Sequence, residues 1–262
     1  MSESDLLQAL RRAVKNGVHG ESEVAVAYSG GVDSSVVAAI AREQAEVKCY
    51  TCAAKGSYDA LNAERRASEE GMTLKMVEVD EIGIVKRVAA AAKALQSLDP
   101  IPISYTVPLI AVLEESTEDT VLAGNGADEL FAGYSKYSSI PDPAARMSED
   151  LAKMLDESER LRRWSSARGK RLELPFADPE VISLSNRIPM VEKISPSGKK
   201  LVLREVARQL GLPSHHRPKK AAQYSSGVLK LMRNSARKDG EPLEEWVRHA
   251  SADERRSAYE SG

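Results

Sequence analysis

Short apolar runs alternate with longer helical patterns through the first half of the chain. Residues 23–28 (Glu-Val-Ala-Val-Ala-Tyr) read as a buried strand, and residues 33–43, rich in Ala and Val, as the helix that follows it. The alternation continues with strands over 47–53, 74–79 and 120–123 and helical patterns over 59–70, 84–95 and 105–115. A short helical lead precedes the first strand. Strands that alternate with helices are joined by crossovers, so they lie parallel in a sheet covered on both faces. The pattern predicts an α/β fold with a doubly wound parallel sheet.

After about residue 140 the rhythm changes. Pro141, Pro143, Pro175, Pro179, Pro189, Pro196, Pro213 and Pro218 punctuate mainly helical segments such as 146–164 and 200–210. The strongest strand signal there is the short stretch 171–176. The expectation is an α/β core over residues 1–140. A mainly helical region, 141–262, packs on the ligand edge of the sheet, and the two can count as one domain. The chain shows no internal repeat, and its polar ends, 1–5 and 251–262, are expected to fray.

Composition narrows the class. A chain of 262 residues can bury a substantial core, and with only two Phe that core is mostly Val, Leu, Ile and Ala. A formal net charge of −2 offers no global basic field, which argues against broad nucleic-acid binding. No apolar run approaches a membrane span, and two cysteines cannot make a disulfide framework. A soluble cytoplasmic protein is expected. No feature sets the oligomeric state, so a homodimer stays open.

The candidate chemistry sits in two glycine turns. Ser29-Gly30-Gly31-Val32-Asp33-Ser34-Ser35 lies between a buried strand and a helix, where an open α/β sheet places its ligand. Two residues without Cβ let the backbone approach an anion, and the following helix start supplies N–H donors. Ser34 and Ser35 add hydroxyls. Asp33 would repel a phosphate directly, so a magnesium ion between them is the sensible reading. The string is neither a Walker loop nor a dinucleotide fingerprint. The second turn, residues 124–134 (Gly-Asn-Gly-Ala-Asp-Glu-Leu-Phe-Ala-Gly-Tyr), follows the fourth strand. If the two strands are neighbours, Asp128 faces Asp33 across the phosphates and both serve one metal.

The first loop resembles the pyrophosphate loop of the ATP pyrophosphatase superfamily. The two turns resemble the synthetase domain of glutamine-dependent asparagine synthetase when taken with three later segments. These are 174–178 (Leu-Pro-Phe-Ala-Asp), 200–205 (Lys-Leu-Val-Leu-Arg-Glu) and 219–227 (Lys-Lys-Ala-Ala-Gln-Tyr-Ser-Ser-Gly). The resemblance runs from about residue 23 to residue 231, and 219–224 looks closest to asparagine-synthetase-domain proteins. It implies the ATP pyrophosphatase fold and an AMP-forming amide ligase that uses ATP and Mg2+. A carboxylate, aspartate or a related compound, is adenylated and then attacked by ammonia. The resemblance carries Ser29, Gly30, Gly31, Asp33, Ser34 and Ser35 to the phosphates, Asp128 to the second metal carboxylate, and Gly124 and Gly126 to the turn. It carries Lys219 or Lys220 to the charge developing on the α-phosphate.

Three positions depart from the family. Asn125 stands where asparagine synthetases generally carry Glu; an amide can orient a substrate but cannot act as a base or hold an ammonium. The family's Glu-x-Arg appears as Arg171-Leu172-Glu173, with the charges exchanged on one face of an extended segment. The chain opens Met1-Ser2 where the parent enzymes carry a glutaminase domain with an N-terminal cysteine. Nitrogen is therefore expected from free ammonia or a separate glutaminase chain. Two other readings stay open: an adenylating tRNA-modifying enzyme that uses the basic patch 160–171, and, from Asn125 and the exchanged pair, a nucleotide-binding partner subunit without amide chemistry.

Other motifs weigh less. Cys49 and Cys52 fall on opposite faces of a strand and read as buried structural residues. The basic run 160–171 suits tRNA, released pyrophosphate or an acidic substrate, or a solvated helix end equally. His215-His216 lacks metal-ligand spacing. Tyr134 and Tyr137, at i and i+3 of a helix, read as packing residues with polar tips.

Overall fold

The structure is a computed structural model that describes residues 3–196, 198–213 and 226–260. Helix α1 (Glu3–Val18) leads into β1 (Glu23–Ala27) and α2 (Val32–Ala41). Then come β2 (Glu46–Ala53), α3 (Tyr58–Glu69), β3 (Thr73–Glu78), α4 (Gly83–Leu95), α5 (Pro100–Glu115) and β4 (Thr120–Ala123). The second half holds α6 (Ala127–Leu130), α7 (Pro143–Ser166), β5 (Arg171–Glu173), α8 (Pro179–Arg187) and α9 (Met190–Lys193). A small hairpin of β6 (Ile194–Ser195) and β7 (Gly198–Lys199) precedes α10 (Leu201–Gln209). Helices α11 (Val228–Lys238) and α12 (Leu243–Glu260) end the described chain.

The expected parallel sheet is present, in the order β3-β2-β1-β4-β5. Every ladder is parallel, with Val26 opposite Cys49 on one side of β1 and Leu122 on the other. The chain builds outward from β1 to β3, then returns to the far side of β1 with β4. Strand order therefore reverses between β1 and β4, and such a reversal opens a crevice at the carboxyl ends of those two strands.

Each face of the sheet carries its own apolar layer. One joins Leu6, Leu10, Val36, Ile40, Phe131, Phe176 and Leu203 beneath α1, α2 and α10. The other joins Ile84, Val88, Ile103, Ile110, Trp164, Met232 and Trp246 around α4, α5, α11 and α12. Cys49 packs in the first layer and Cys52 in the second, as their spacing requires. Burial pushes both thiols up to about 12, which leaves them inert at neutral pH. Among the described residues no helix is long and apolar enough to cross a membrane.

Three helices start earlier or more sharply than their apolar pattern indicates. Asp99, Asp142 and Asp178 each accept a backbone N–H as N-cap, and each is followed by Pro at the first helical position. This moves the start of α5 from 105 back to Pro100, and that of α7 from 146 to Pro143. The segment 171–176 is strand only to Glu173, then a 3-10 turn over Pro175–Ala177. Tyr134 caps a 3-10 turn, Ser135–Ser138, in place of the helix expected there. Its ring packs on Tyr137 at 5.6 Å, and the two hydroxyls donate to Glu129 and Asp150.

Candidate active site

The turn after β1 is closed by its own side chains. Ser34 Oγ donates to the Gly31 carbonyl at 3.2 Å and accepts the Ser29 N–H at 3.1 Å, while Ser29 and Ser34 hydroxyls meet at 3.3 Å. Gly30 has φ +67°, a region that L side chains rarely adopt. Gly31 caps α2 without a side-chain hydrogen bond, so no side chain of the cap covers the first turn of that helix. Ser35 is fully buried and aims its hydroxyl at Tyr28 Oη, 3.5 Å away. It braces the loop from below, with its hydroxyl turned toward Tyr28.

The turn after β4 lies against the first. A Cβ on Gly124 would stand 3.0 Å from Asp33 Cβ and 3.2 Å from the Ser34 nitrogen, so the missing side chain lets the two turns touch. Gly126, at φ +96°, starts α6 with Met154 of α7 packed against it. Asp33 and Asp128 converge on one point. Lys200 Nζ lies 2.6 Å from both Asp33 carboxylate oxygens and 2.7 Å from Asp128 Oδ1. Two carboxylates that share one cation also suit a divalent metal, the donor set expected for magnesium. Asn125 is exposed at the rim.

Lys200 opens the 200–205 segment that carries part of the family resemblance, but the sequence alone gives it no role in the site. It is 2% exposed and sits in the left-handed region, φ 56°, as the cap of α10. Burial pulls its pKa down and the Asp33 carboxylate pulls it back. Gly133 makes this contact possible, since a Cβ there would overlap Asp128 Oδ1 and Lys200 Cε. Arg204, half-buried one turn along α10, bonds the Lys199 carbonyl and feels Asp33 as well.

A second set of acids flanks the turn. Glu129 is buried and accepts from Tyr134 Oη at 2.7 Å; burial raises its pKa against that bond. On α7, Glu157 accepts from Tyr105 Oη at 3.1 Å, and burial raises it too. Only the fold brings Glu157 here, one turn beyond Met154.

Several expected features lie elsewhere. Lys219 and Lys220, with His215 and His216, fall outside the described residues. Arg171 bonds Thr120 at 2.7 Å and Glu21 at 3.0 Å, at the amino end of β4. Glu173 packs on Gly17 of α1. The exchanged pair is thus tied to the α1 side of the sheet. The basic run 160–171 is largely spent within the molecule. Arg160 bonds Asp156 and the Leu95 carbonyl, Arg162 the Leu172 carbonyl, and Lys170 the Ser116 and Glu118 carbonyls. Arg168 stacks on Trp164 at 3.8 Å.

The model of the asparagine synthase family matches residues 5–172 and 145–260. The chain belongs to the asparagine synthase family. Among its relatives is a Methanocaldococcus jannaschii protein with the provisional name glutamine-hydrolyzing asparagine synthetase 1. It is 32% identical over 279 residues, covering 89% of this chain and 51% of that protein. Asparagine synthetase domain-containing protein 1 of Mus musculus is 34% identical over 134 residues, or 46% of this chain and 21% of that one. The chain thus spans about half the length of the first relative. The solved NMN synthetase of Francisella tularensis aligns over 97% of this chain and 94% of its own, with a TM-score of 0.47 and 14% identity.

Proposed function

We propose that this chain is an ATP-dependent, AMP-forming amide ligase that adenylates a carboxylate, aspartate or a related compound, for attack by ammonia. The observation that carries the reading is the convergence of Asp33 and Asp128, from two touching glycine turns, on one point at the strand-order reversal.

The turn at Ser29, Gly30, Gly31 and Ser34 would hold the β- and γ-phosphates through the Gly30 and Ser34 N–H groups and the Ser29 and Ser34 hydroxyls, since the Ser29 and Gly31 N–H groups already meet hydroxyl oxygens within the turn. Gly124 and Gly126 let the nucleotide and substrate approach the second turn. Asp33 and Asp128 would hold magnesium, which supplies charge neutralisation for the departing pyrophosphate. Lys200 Nζ, which bridges the two carboxylates in the structure, would yield that place to the metal. The substrate carboxylate attacks the α-phosphorus as the bond to pyrophosphate breaks, and Lys219 or Lys220 meets the charge that develops there. Ammonia then attacks the acyl-adenylate carbonyl, and AMP leaves with the bonding electron pair. Asn125 orients the substrate at the rim. Glu157, a half-buried carboxylate beside the turn, suits the substrate ammonium that Asn125 cannot hold.

The test is pyrophosphate release across a panel of amino acids with and without ammonia. Release with at least one carboxylate, with AMP as co-product, is expected. Asp33→Asn should lower AMP formation at least about a hundredfold, the scale of one lost charge-stabilising group; retained turnover would remove the metal assignment. Nucleotide binding without pyrophosphate release from any substrate would favour a partner subunit instead.

A further inference from the structure

Helix α3 touches the phosphate loop in a way that none of the expected roles uses. Asn62, in its second turn, is 6% exposed. Its Nδ2 donates to the Ser29 carbonyl at 3.0 Å, across 33 residues of sequence. Its Oδ1 is buried and accepts no hydrogen bond among the described residues. A buried amide with half its capacity unused costs stability, and a leucine of the same branched shape would not bear that cost. A residue that is poor for stability and pressed against a candidate phosphate loop points to a role in that loop.

The contact is close as well as polar. A Cβ on Gly30 would lie 3.0 Å from Asn62 Nδ2 and 3.1 Å from Arg66 Cβ, one turn further along α3. Gly30 therefore lets the loop press on this helix, and its φ of +67° turns the chain at that point. Ser29 itself is exposed, and the Asn62 amide bonds its carbonyl from the α3 side. Fixing the Ser29 carbonyl on α3 fixes the plane of the Ser29–Gly30 peptide. The Gly30 N–H is the other end of that plane, and its direction follows.

We propose that Asn62 is a positioning residue: it locks the Ser29–Gly30 peptide so that the loop presents a preset row of N–H donors to a pyrophosphate group. The inference rests on the proposed function, and it assigns Asn62 no contact with substrate. Preset donors bind an anion without first ordering a loop. The effect falls on pyrophosphate and ATP, not on AMP, which lacks the two phosphates the loop would hold.

The test compares wild type with Asn62→Leu and Asn62→Asp, using calorimetric titration of magnesium pyrophosphate, magnesium ATP and AMP together with thermal melting. Both variants should bind pyrophosphate and ATP about five- to tenfold more weakly, the worth of one hydrogen bond. AMP affinity should stay within about twofold by the same measure, and the leucine variant should melt no more than a few degrees below wild type. Pyrophosphate binding as tight as wild type in both variants would overturn the positioning role alone. Equal loss for all three ligands alongside a large drop in melting temperature would reduce Asn62 to a packing residue. A wild type that binds neither pyrophosphate nor ATP would overturn the proposed function, and this role with it.

Discussion

Lys200 and Gly133 show how the site depends on single atoms. Lys200 reaches Asp33 and Asp128 because Gly133 has no side chain in the space that the ammonium stem and Asp128 occupy. Gly133→Ala should therefore push Asp128 or Lys200 aside. We expect a loss of roughly 1–3 kcal/mol in stability, the usual cost of overpacking, together with loss of pyrophosphate release. Urea unfolding and the release assay read the two effects; a stable and fully active alanine variant would contradict the packing. The loop glycines and the two aspartates were legible in the sequence because their spacing follows strands. Lys200 was not, since its neighbours Asp33 and Asp128 lie far away in sequence.

At the scale of elements, β1 and β4 are legible as continuous apolar runs, the mark of parallel core strands, and the edge strand β3 as an alternation. Helix starts were read less well. The periodic pattern of α5 and α7 begins several residues after their Asp-Pro caps, and those dipeptides were the signal that could have placed them. Asp142 accepts the Ala145 N–H at 3.0 Å at the head of a 24-residue helix that carries Met154 and Glu157. Asp142→Ala should cost about 1 kcal/mol, the worth of an N-cap, and a chemical denaturation curve would show it as a lower midpoint with unchanged slope. No shift in midpoint would mean the proline alone sets that helix start. The β6–β7 hairpin, two residues a side, gave no alternating pattern to detect.

For the molecule as a whole, Lys193 sets a dependence of stability on pH. It is 5% exposed, and its ammonium has one neutral partner among the described residues, Ser185 Oγ at 3.3 Å. Burial lowers its pKa from 10.5 to about 8. Between those two values the unfolded chain holds a proton that the folded protein lacks, so this group makes stability rise with pH from about 8 to about 10.5. Below pH 8 the folded state bears the full cost of a buried cation. Lys193→Met should stabilise the protein at pH 7 by roughly 1–3 kcal/mol. Melting curves across pH should show that gain shrinking above pH 8, and an equal gain at every pH would refute the assignment.

The sequence by itself determined the parallel α/β core, the two glycine turns and the pair of aspartates, because strand burial and loop chemistry are written in contiguous residues. Only the tertiary structure decided which turns touch and what meets there. Strand order is a long-range choice, made when β4 returned to pair with β1 rather than extend the sheet beyond β3. That choice set Gly124 against Asp33 at the carboxyl ends of β1 and β4. Burial then drew Lys200 to the two carboxylates, Glu157 to the second turn and Asn62 to the loop. Each of those contacts joins residues whose separation along the chain no local pattern can encode.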